Sequence, residues 1–350
     1  MAGPYFVDIT TGNDGDDGLS EGNAFATLAK AADTVGAASV AEAKVWIKAS
    51  ATYDVQDGTN GANMVLATAG TITIPIVWEG YTSSTGDGGI ATLSGTSTWD
   101  HCIDTNSLSY QVFKNLRMTL AADNGFEGST FDWYVFKNCR FDNNGANGVN
   151  VDNDCGFMNC SAHNNTSYGI TADQRVPVIN CTSYTNGGRG IDIQNGCIFG
   201  CLVYDNGNVE QIHAVESGTA VINCTVDGDN DGASVGFRYT QTAEAVTVVN
   251  NIFYDLNYAV HSTTDHSELD LIGFNLYNSI AQSPPNLNIL PPNPSSGAGD
   301  GIGDRGDVTS TQGDTDLFTD AGAARNYTLK DTSSDAVAAG VDAKFTVDLF

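Results

Sequence analysis

The chain has 350 residues, of which 14 are Lys or Arg and 42 are Asp or Glu, so its formal net charge is −28 at pH 7. Hydrophobic residues make up 41% of the chain, which is enough for a folded core and excludes wholesale disorder. An exterior this acidic repels phosphate, so nucleic acids and anionic membranes are not expected as partners. The chain has no apolar run of about 18 residues, so membrane insertion is not expected either.

An amphipathic helix is predicted near the N-terminus. Asn23 is a suitable N-cap for it, and Gly36 can end it. Its apolar residues recur at helical spacing and would form one buried face; they are Phe25, Leu28, Ala32 and Val35. The next element is a strand predicted over residues 45–47, where apolar side chains flank Trp46.

A repeat of about 21 residues organises the centre of the chain. Each copy has an apolar strand ending in Asn-Cys or Gly-Cys, and the five cysteines are separated by 21, 21, 20 and 23 residues. A second strand signal follows about ten residues after each cysteine and alternates apolar and polar residues. Short strands at this period predict the stacked coils of a parallel β-solenoid, about 4.8 Å apart. The repeat cysteines are Cys139, Cys160, Cys181, Cys201 and Cys224.

The repeat cysteines could have one of three roles: they could pack as a buried column, bind a metal or form disulfides. Zinc sites usually contain closely spaced cysteine pairs, and this chain has no such pair in the C-x₂-C form. Cysteine is also a small apolar residue that suits a core. A buried structural ladder of free thiols is therefore the favoured interpretation. The Asn before each Cys is likewise expected to stack along a turn.

This pattern resembles the right-handed parallel β-helix of the pectate-lyase-like superfamily. The N-terminal sequence Tyr5-Phe6-Val7-Asp8 and the Gly/Asp-rich loop over residues 12–18 also resemble the opening of such proteins. The resemblance implies an edge strand and a helix that plugs the first coil, and it assigns residues 316–342 to the closing segment. The expected fold is an all-β, single-stranded parallel β-helix with an N-terminal helical cap. This fold hosts lyases, hydrolases, phage tailspikes and non-catalytic surface proteins, so it does not specify an activity.

The chain divides into four predicted segments. Residues 1–44 are the cap, and residues 45–280 form the β-helix. Residues 281–303 form a linker, because five of the eight prolines lie between Pro284 and Pro294 and a Gly-rich stretch follows. Residues 304–350 form a short C-terminal closing segment.

Candidate site residues lie on the outward face of the second strand of each coil. If the apolar residues point inward, one outward column contains, in order, Asn150, Thr171, Asp192, His213, Arg238 and His261. Asp192, His213 and Arg238 are the catalytic candidates, because a carboxylate can orient an imidazole base and a guanidinium can hold a sugar carboxylate.

Other residues of this face are candidates for ligand binding rather than catalysis. They are Asp173, His261, Thr171 and Asn150. Two further readings stay open, namely an ordinary solvated strand face and a glycan-binding surface without catalysis.

One metal site is considered. Asp14, Asp16 and Asp17 lie in a Gly-rich loop and could bind Ca²⁺, whereas Asp-Gly pairs also form ordinary turns. No other cofactor is expected.

Three function classes fit these patterns. The first is a bacteriophage virion surface protein, such as a tail spike, fibre or capsid decoration, that binds host glycans. It would be a homotrimer that contacts other virion proteins. The N-terminus has no basic region or apolar signal core, which predicts synthesis in the host cytoplasm. The second class is a polysaccharide lyase or glycoside hydrolase, and the third is an extracellular bacterial surface or filament protein.

Overall fold

A computed structural model describes most of the chain up to residue 280 and two short segments beyond it. The described residues are 3–37, 43–54, 62–128, 133–207, 210–216, 218–228, 234–240, 246–262, 271–273, 275–280, 318–320 and 326–329. Among them, no helix is both long and apolar enough to cross a membrane.

The described strands up to residue 280 form three parallel sheets that run along a solenoid. Sheet A contains Tyr5–Val7, Lys44–Lys48, Ile76–Tyr81, Gln111–Lys114, Tyr134–Lys137, Gly156–Met158, Val176–Ile179, Gly196–Phe199, Ala220–Ile222, Thr247–Val249 and Leu271–Gly273. Sheet B contains Ala91–Ser94, Leu116–Thr119, Arg140–Asp142, Ser161–His163, Thr182–Tyr184, Leu202–Tyr204, Thr225–Asp227, Ile252–Leu256 and Leu276–Ile280. Sheet C contains Ala62–Val65, His101–Asp104, Phe126–Glu127, Val149–Asn150, Ile170–Ala172, Ile191–Ile193, Glu210–Ala214, Val235–Tyr239 and Tyr258–Ser262. The chain passes from A to B to C and back to A, so the expected parallel β-solenoid is confirmed.

Period-two alternation builds the core of the solenoid. Inward residues such as Ile170 and Ile191 are fully buried. The residues that follow them in the strands, Thr171 and Asp192, point outward and are half-buried. Identical residue types stack from coil to coil, because each strand pairs in register with the next. Phe136 and Phe157, for example, stack with ring centroids 4.9 Å apart and an interplanar angle of 9°.

The N-terminal cap closes the first coil with apolar residues. The strand Tyr5–Val7 pairs with Lys44–Lys48, and a single helix follows over Leu28–Ala37. Phe25, Leu28 and Val35 are all buried, as the apolar face predicts. Burial of these side chains supplies the stacking partner that the first coil otherwise lacks.

Both predicted ends of this helix were wrong. Asn23 lies in a separate 3₁₀ turn, Glu21–Asn23, and Thr27 caps the helix instead by accepting a hydrogen bond from the Lys30 backbone N–H at 3.1 Å. Gly36 lies inside the helix rather than after it. A Ser/Thr hydroxyl just before the first turn satisfies an exposed backbone donor there, which explains the later start.

The five repeat cysteines lie in one buried column at the A–B corner. Their thiols donate to backbone carbonyls, as Cys160 Sγ does to Phe136 O at 3.5 Å. All eight cysteines of the chain are free; seven are buried and Cys197 is half-buried. Burial raises the pKa of Cys102 to about 12, which makes this thiol a poor nucleophile at neutral pH.

The main asparagine ladder is not the predicted one. Asn138, Asn159 and Asn180, each preceding a cysteine, are exposed and adopt left-handed φ angles of 52° to 54°. Within this column, Asn138 Nδ2 donates to Asn115 Oδ1 at 3.1 Å. A buried ladder lies instead at the B–C corner, where consecutive amides bond at 2.8 to 2.9 Å. Its members are Asn144, Asn165, Asn186 and Asn206.

Most of the predicted linker and closing segment lies outside the described residues. Of the closing segment, the structure describes Phe318–Asp320 and Asn326–Leu329, which pair as antiparallel strands. The boundaries at residues 281 and 304 therefore stay predictions.

Candidate functional site

The outer face of sheet C aligns the candidate side chains in one continuous column. Strand register pairs Asn150 with Thr171, Thr171 with Asp192, and Asp192 with His213. It then pairs His213 with Arg238 and Arg238 with His261. Consecutive members are therefore one strand spacing apart, about 4.8 Å. The roles of these residues in catalysis or binding stay predictions.

Asp192 and His213 form a close pair at the centre of this column. His213 Nδ1 lies 2.6 Å from Asp192 Oδ1, and only 6% of the His213 side chain is exposed. A carboxylate at Nδ1 favours the tautomer that carries its proton there, which leaves Nε2 as the basic nitrogen. This arrangement can orient a general base, or it can present a hydrogen-bond acceptor to a ligand.

Two arginines and a buried glutamate extend the pair into a network. Arg189 donates to Asp192 Oδ2 at 3.2 Å and to Glu210 Oε2 at 3.0 Å. Arg238 donates from its terminal nitrogen to the other Glu210 oxygen. Burial alone would raise the pKa of Glu210, but hydrogen bonds from its own backbone and from the two arginines lower that pKa to about 2. Glu210 is therefore an anion at neutral pH and holds both guanidinium groups in place.

The end of the column contains buried polar atoms without partners. Arg238 Nε and His261 Nδ1 are buried, and neither has a hydrogen-bond partner among the described residues. Burial and the adjacent Arg238 cation lower the pKa of His261, so its imidazole is neutral at pH 7. Tyr258 borders this position, with its ring centroid 5.0 Å from that of His261. Buried polar groups are normally satisfied, so these two atoms are an exception at this end of the column.

The remaining candidates lie along the same face but have other surroundings within the described residues. Asn150 Nδ2 donates to both oxygens of Glu127 at 3.2 Å, two coils away from Asp192. Thr171 Oγ1 is buried and has no partner within the described part of the chain. Burial and the charge of Asp152 raise the pKa of Asp173. These residues line the face on the N-terminal side of the network.

Arg189 and Glu210 were not among the residues selected from the sequence. Arg189 lies at the B–C corner, and Glu210 is the first residue of the strand Glu210–Ala214. Arg189 lies three residues before Asp192, and Glu210 lies three residues before His213. This offset could have identified both residues from the sequence. Residues at the same distance before the outward column in adjacent coils lie next to each other in the folded protein. The alternation rule points only to residues within the strand, so it overlooked a corner side chain that reaches back over the sheet.

The N-terminal aspartate loop makes contacts of a different kind. Asp14 accepts hydrogen bonds from the backbone N–H groups of Ala26 and Thr27 at 2.8 and 3.0 Å, and from the Thr27 hydroxyl. Asp17 accepts a bond from the Leu19 backbone. Within the described ranges, no three His, Cys, Asp or Glu side chains are grouped so that they could hold a metal. Calcium binding by Asp14, Asp16 and Asp17 stays a prediction without structural support.

The three stacked parallel sheets define a parallel β-helix protein. The chain matches the family model described as the right handed beta helix region over residues 101–276, and it belongs to that family.

Among solved structures, it is similar to pectate lyase Pel9A, with 16% identity, a TM-score of 0.55 and coverage of 77% of this chain and 78% of that one. It is also similar to a rhamnogalacturonan lyase, with 14% identity, a TM-score of 0.51 and coverage of 79% and 74%. At these identities the likeness concerns the fold alone. A search of curated proteins gave no match.

Proposed function

We propose that the outer face of sheet C binds an acidic polysaccharide and that the protein does so on the surface of a bacteriophage virion. The observation that carries the binding proposal is the pair of buried, unpartnered atoms at Arg238 and His261, beside the Asp192–His213 pair. A uronate carboxylate would satisfy the Arg238 Nε–H as a charge-assisted acceptor. A sugar hydroxyl would satisfy His261 Nδ1.

The local charge supports an acidic ligand. Arg189 and Arg238 balance Asp192 and Glu210, so this cluster is neutral within a chain of net charge −28. A polyanion is repelled by most of the exterior and less so by a neutral cluster. The two similar structures are named as lyases of pectate and rhamnogalacturonan, which agrees with a polysaccharide ligand.

The binding test compares two Arg→Gln variants. Arg238→Gln should weaken the binding of oligogalacturonate at least tenfold in isothermal titration, because a charge-assisted bond to a carboxylate is lost. Arg175→Gln is the matched control, since Arg175 pairs with Asp154 at the C–A corner, away from the network. Equal affinities of Arg238→Gln and wild type, with both folded by circular dichroism, would refute this site.

The virion location rests on the β-helix body and the acidic exterior, and it implies contact with other virion proteins. Mass spectrometry of purified phage particles should detect the chain at a stoichiometric level. Its presence only in the soluble fraction of the infected cell would contradict this part of the proposal without affecting the binding test.

Cleavage of the bound polysaccharide is a second candidate, favoured by the 2.6 Å contact between Asp192 and His213. In a lyase reaction, His213 Nε2 would take the proton from the carbon next to the uronate carboxylate, and Arg238 would stabilise the negative charge that develops on that carboxylate. The freed electron pair would form a carbon–carbon double bond as the glycosidic carbon–oxygen bond breaks, and the leaving oxygen would take a proton from water. Wild type should then release unsaturated ends, and His213→Gln should release none while still binding. Binding without product release by wild type would exclude this candidate and leave the binding proposal intact.

A further inference from the structure

The outer face of sheet A has a long strip without charged residues. Strand register aligns two outward positions from each of five consecutive strands along this face. We call these ten positions the apolar strip; they are Gly156, Met158, Pro177, Ile179, Cys197, Phe199, Ala220, Ile222, Thr247 and Val249. Thr247 is the one polar residue among them.

The strip faces outward and is accessible. Pro177 is exposed and the other nine residues are half-buried, whereas the alternating residues Phe157, Val178 and Ile198 are fully buried in the core. These strands are therefore apolar on both faces. Such sequences are typical of parallel strands that are covered on both sides.

The other two outer faces differ over the same coils. Sheet C presents Thr171, Asp192 and His213, and sheet B presents Thr182 and Tyr184. These two outer faces thus mix polar and apolar side chains, whereas the apolar strip has one polar residue among its ten. Contiguous exposed apolar surface of this kind marks interaction sites.

We propose that the apolar strip is an interface with a second copy of this chain. Charge selects that occupant. Lys114 and Lys137 continue the column of Met158 and Ile179 toward the N-terminal end, and Lys137 is exposed. Lys114 Nζ already lies 3.9 Å from Glu79 Oε2, whereas the exposed Lys137 can pair with a carboxylate on the strongly acidic surface of a second copy. The ten residues of the strip are uncharged. Contact through the strip therefore places no carboxylates of the two copies, each of net charge −28, directly against each other.

The dimensions of the strip suit the centre of such an interface. Five strands at about 4.8 Å spacing and two side chains about 7 Å apart give a core on the order of 300 Å². A stable interface buries about 800 Å² per partner, with an apolar core and a polar rim. The two lysines and the corners beside the strip would form that rim.

The test is the mass of the particle in solution, measured by light scattering during size exclusion. The monomer has a mass of 36.7 kDa, and wild type should run as an integer multiple of it. The double variant Ile179→Asp/Phe199→Asp should run at the monomer mass, because it places carboxylates in the centre of the interface. Thr182→Asp/Leu202→Asp is the matched control, with the same charge change on outward positions of sheet B in the same coils. It should keep the wild-type mass.

Either of two results would overturn the proposal. One is a monomeric wild type at micromolar concentration, which would mean that another part of this chain or a different partner covers the strip. The other is an unchanged mass of the folded strip variant.

A measurement on the unmodified chain removes any dependence on variant folding. Cys197 is the half-buried cysteine and belongs to the strip. Its reaction with a bulky maleimide should be slow in the oligomer and several-fold faster after dilution below the dissociation constant. An equal labelling rate at all concentrations would contradict the interface.

Discussion

At the scale of single residues, the sheet C network shows how a buried carboxylate organises two cations. Glu210 is 6% exposed and contacts both Arg189 and Arg238. A buried charge is stable only when it is paired and hydrogen-bonded, and here every contact also orients a candidate ligand-binding group. The proposed site therefore depends on Glu210 although Glu210 itself is not proposed to touch the ligand.

The lowered pKa of Glu210 predicts acid sensitivity of the fold. Because the pKa is about 2 in the folded protein against an ordinary value of 4.5, the stability due to this group is fully present above pH 4.5. It is lost as the pH falls toward 2, and it amounts to about 3 kcal/mol. Denaturant unfolding gives the free energy of unfolding at pH 5 and at pH 2.5. Its decrease between these two pH values should be smaller for Glu210→Gln than for wild type. Equal losses would contradict the assignment.

Glu127 provides a control of opposite sign. Burial raises the pKa of Glu127 in spite of hydrogen bonds from Asn150 and Asn124. A raised carboxyl pKa means that stability due to this group is present below the unfolded value and is lost as the pH rises through the folded value. Acidification should therefore raise the contribution of Glu127 to the free energy of unfolding, and Glu127→Gln should abolish that increase. Glu210→Gln should instead abolish a decrease.

At the scale of elements, the A–B corner is a tight turn that depends on one left-handed residue per coil. Asn159, Asn180 and Asn223 occupy it with φ of 52° to 56°, and Gly200 takes the same place with φ of 65°. Asn and Gly tolerate this conformation, whereas residues with a plain Cβ are strained there. The repeat is thus conserved in backbone conformation rather than in side-chain bonding, which explains why one coil replaces Asn with Gly.

Two substitutions at one position test this account of the turn. Asn180→Ala should lower the free energy of unfolding by about 1 kcal/mol, because Ala is disfavoured at positive φ. Asn180→Gly should change it by only a few tenths, since Gly adopts the same φ freely. Both values come from urea denaturation. A loss with Gly as large as that with Ala would indicate that the Asn side chain, rather than its φ, stabilises the corner.

At the scale of the whole molecule, a chain of net charge −28 contains a solenoid with an apolar interior. Among the described residues, the inner faces of the three sheets contain aliphatic, aromatic and cysteine residues, and most acidic residues lie on corners, the N-terminal cap and outer faces. Mutual repulsion of these charges opposes the compact state. The stacked core offsets it, because every coil buries its inner face against two neighbours.

Screening this repulsion should stabilise the protein. Raising NaCl from 10 mM to 150 mM shortens the Debye length from about 30 Å to about 8 Å. The melting temperature from differential scanning calorimetry should then rise by several degrees, and KCl should act equally if the effect is screening. A melting temperature independent of salt, or one that falls, would show that surface repulsion does not limit stability.

Periodicity was enough to predict the coil period, the buried cysteine column and the outward column from Asn150 to His261. These features follow from rules within one strand and one repeat, namely alternation along a strand and identity of position between coils. His261 illustrates this, since strand register places it next to Arg238 although its coil is longer. The same local rules identified the apolar face of the N-terminal helix, through Leu28 and Val35.

The tertiary structure was needed to identify contacts in which a side chain reaches across a corner between two sheets. Arg189 joins the site from the B–C corner, and Glu210 joins it from the first position of its strand. Thr27, rather than Asn23, accepts a hydrogen bond from a free backbone donor of the helix. The buried asparagine ladder, Asn144 to Asn206, forms at a corner whose geometry no alternation rule describes. Strand patterns specify which way a side chain points, whereas its partners depend on how successive corners stack in space.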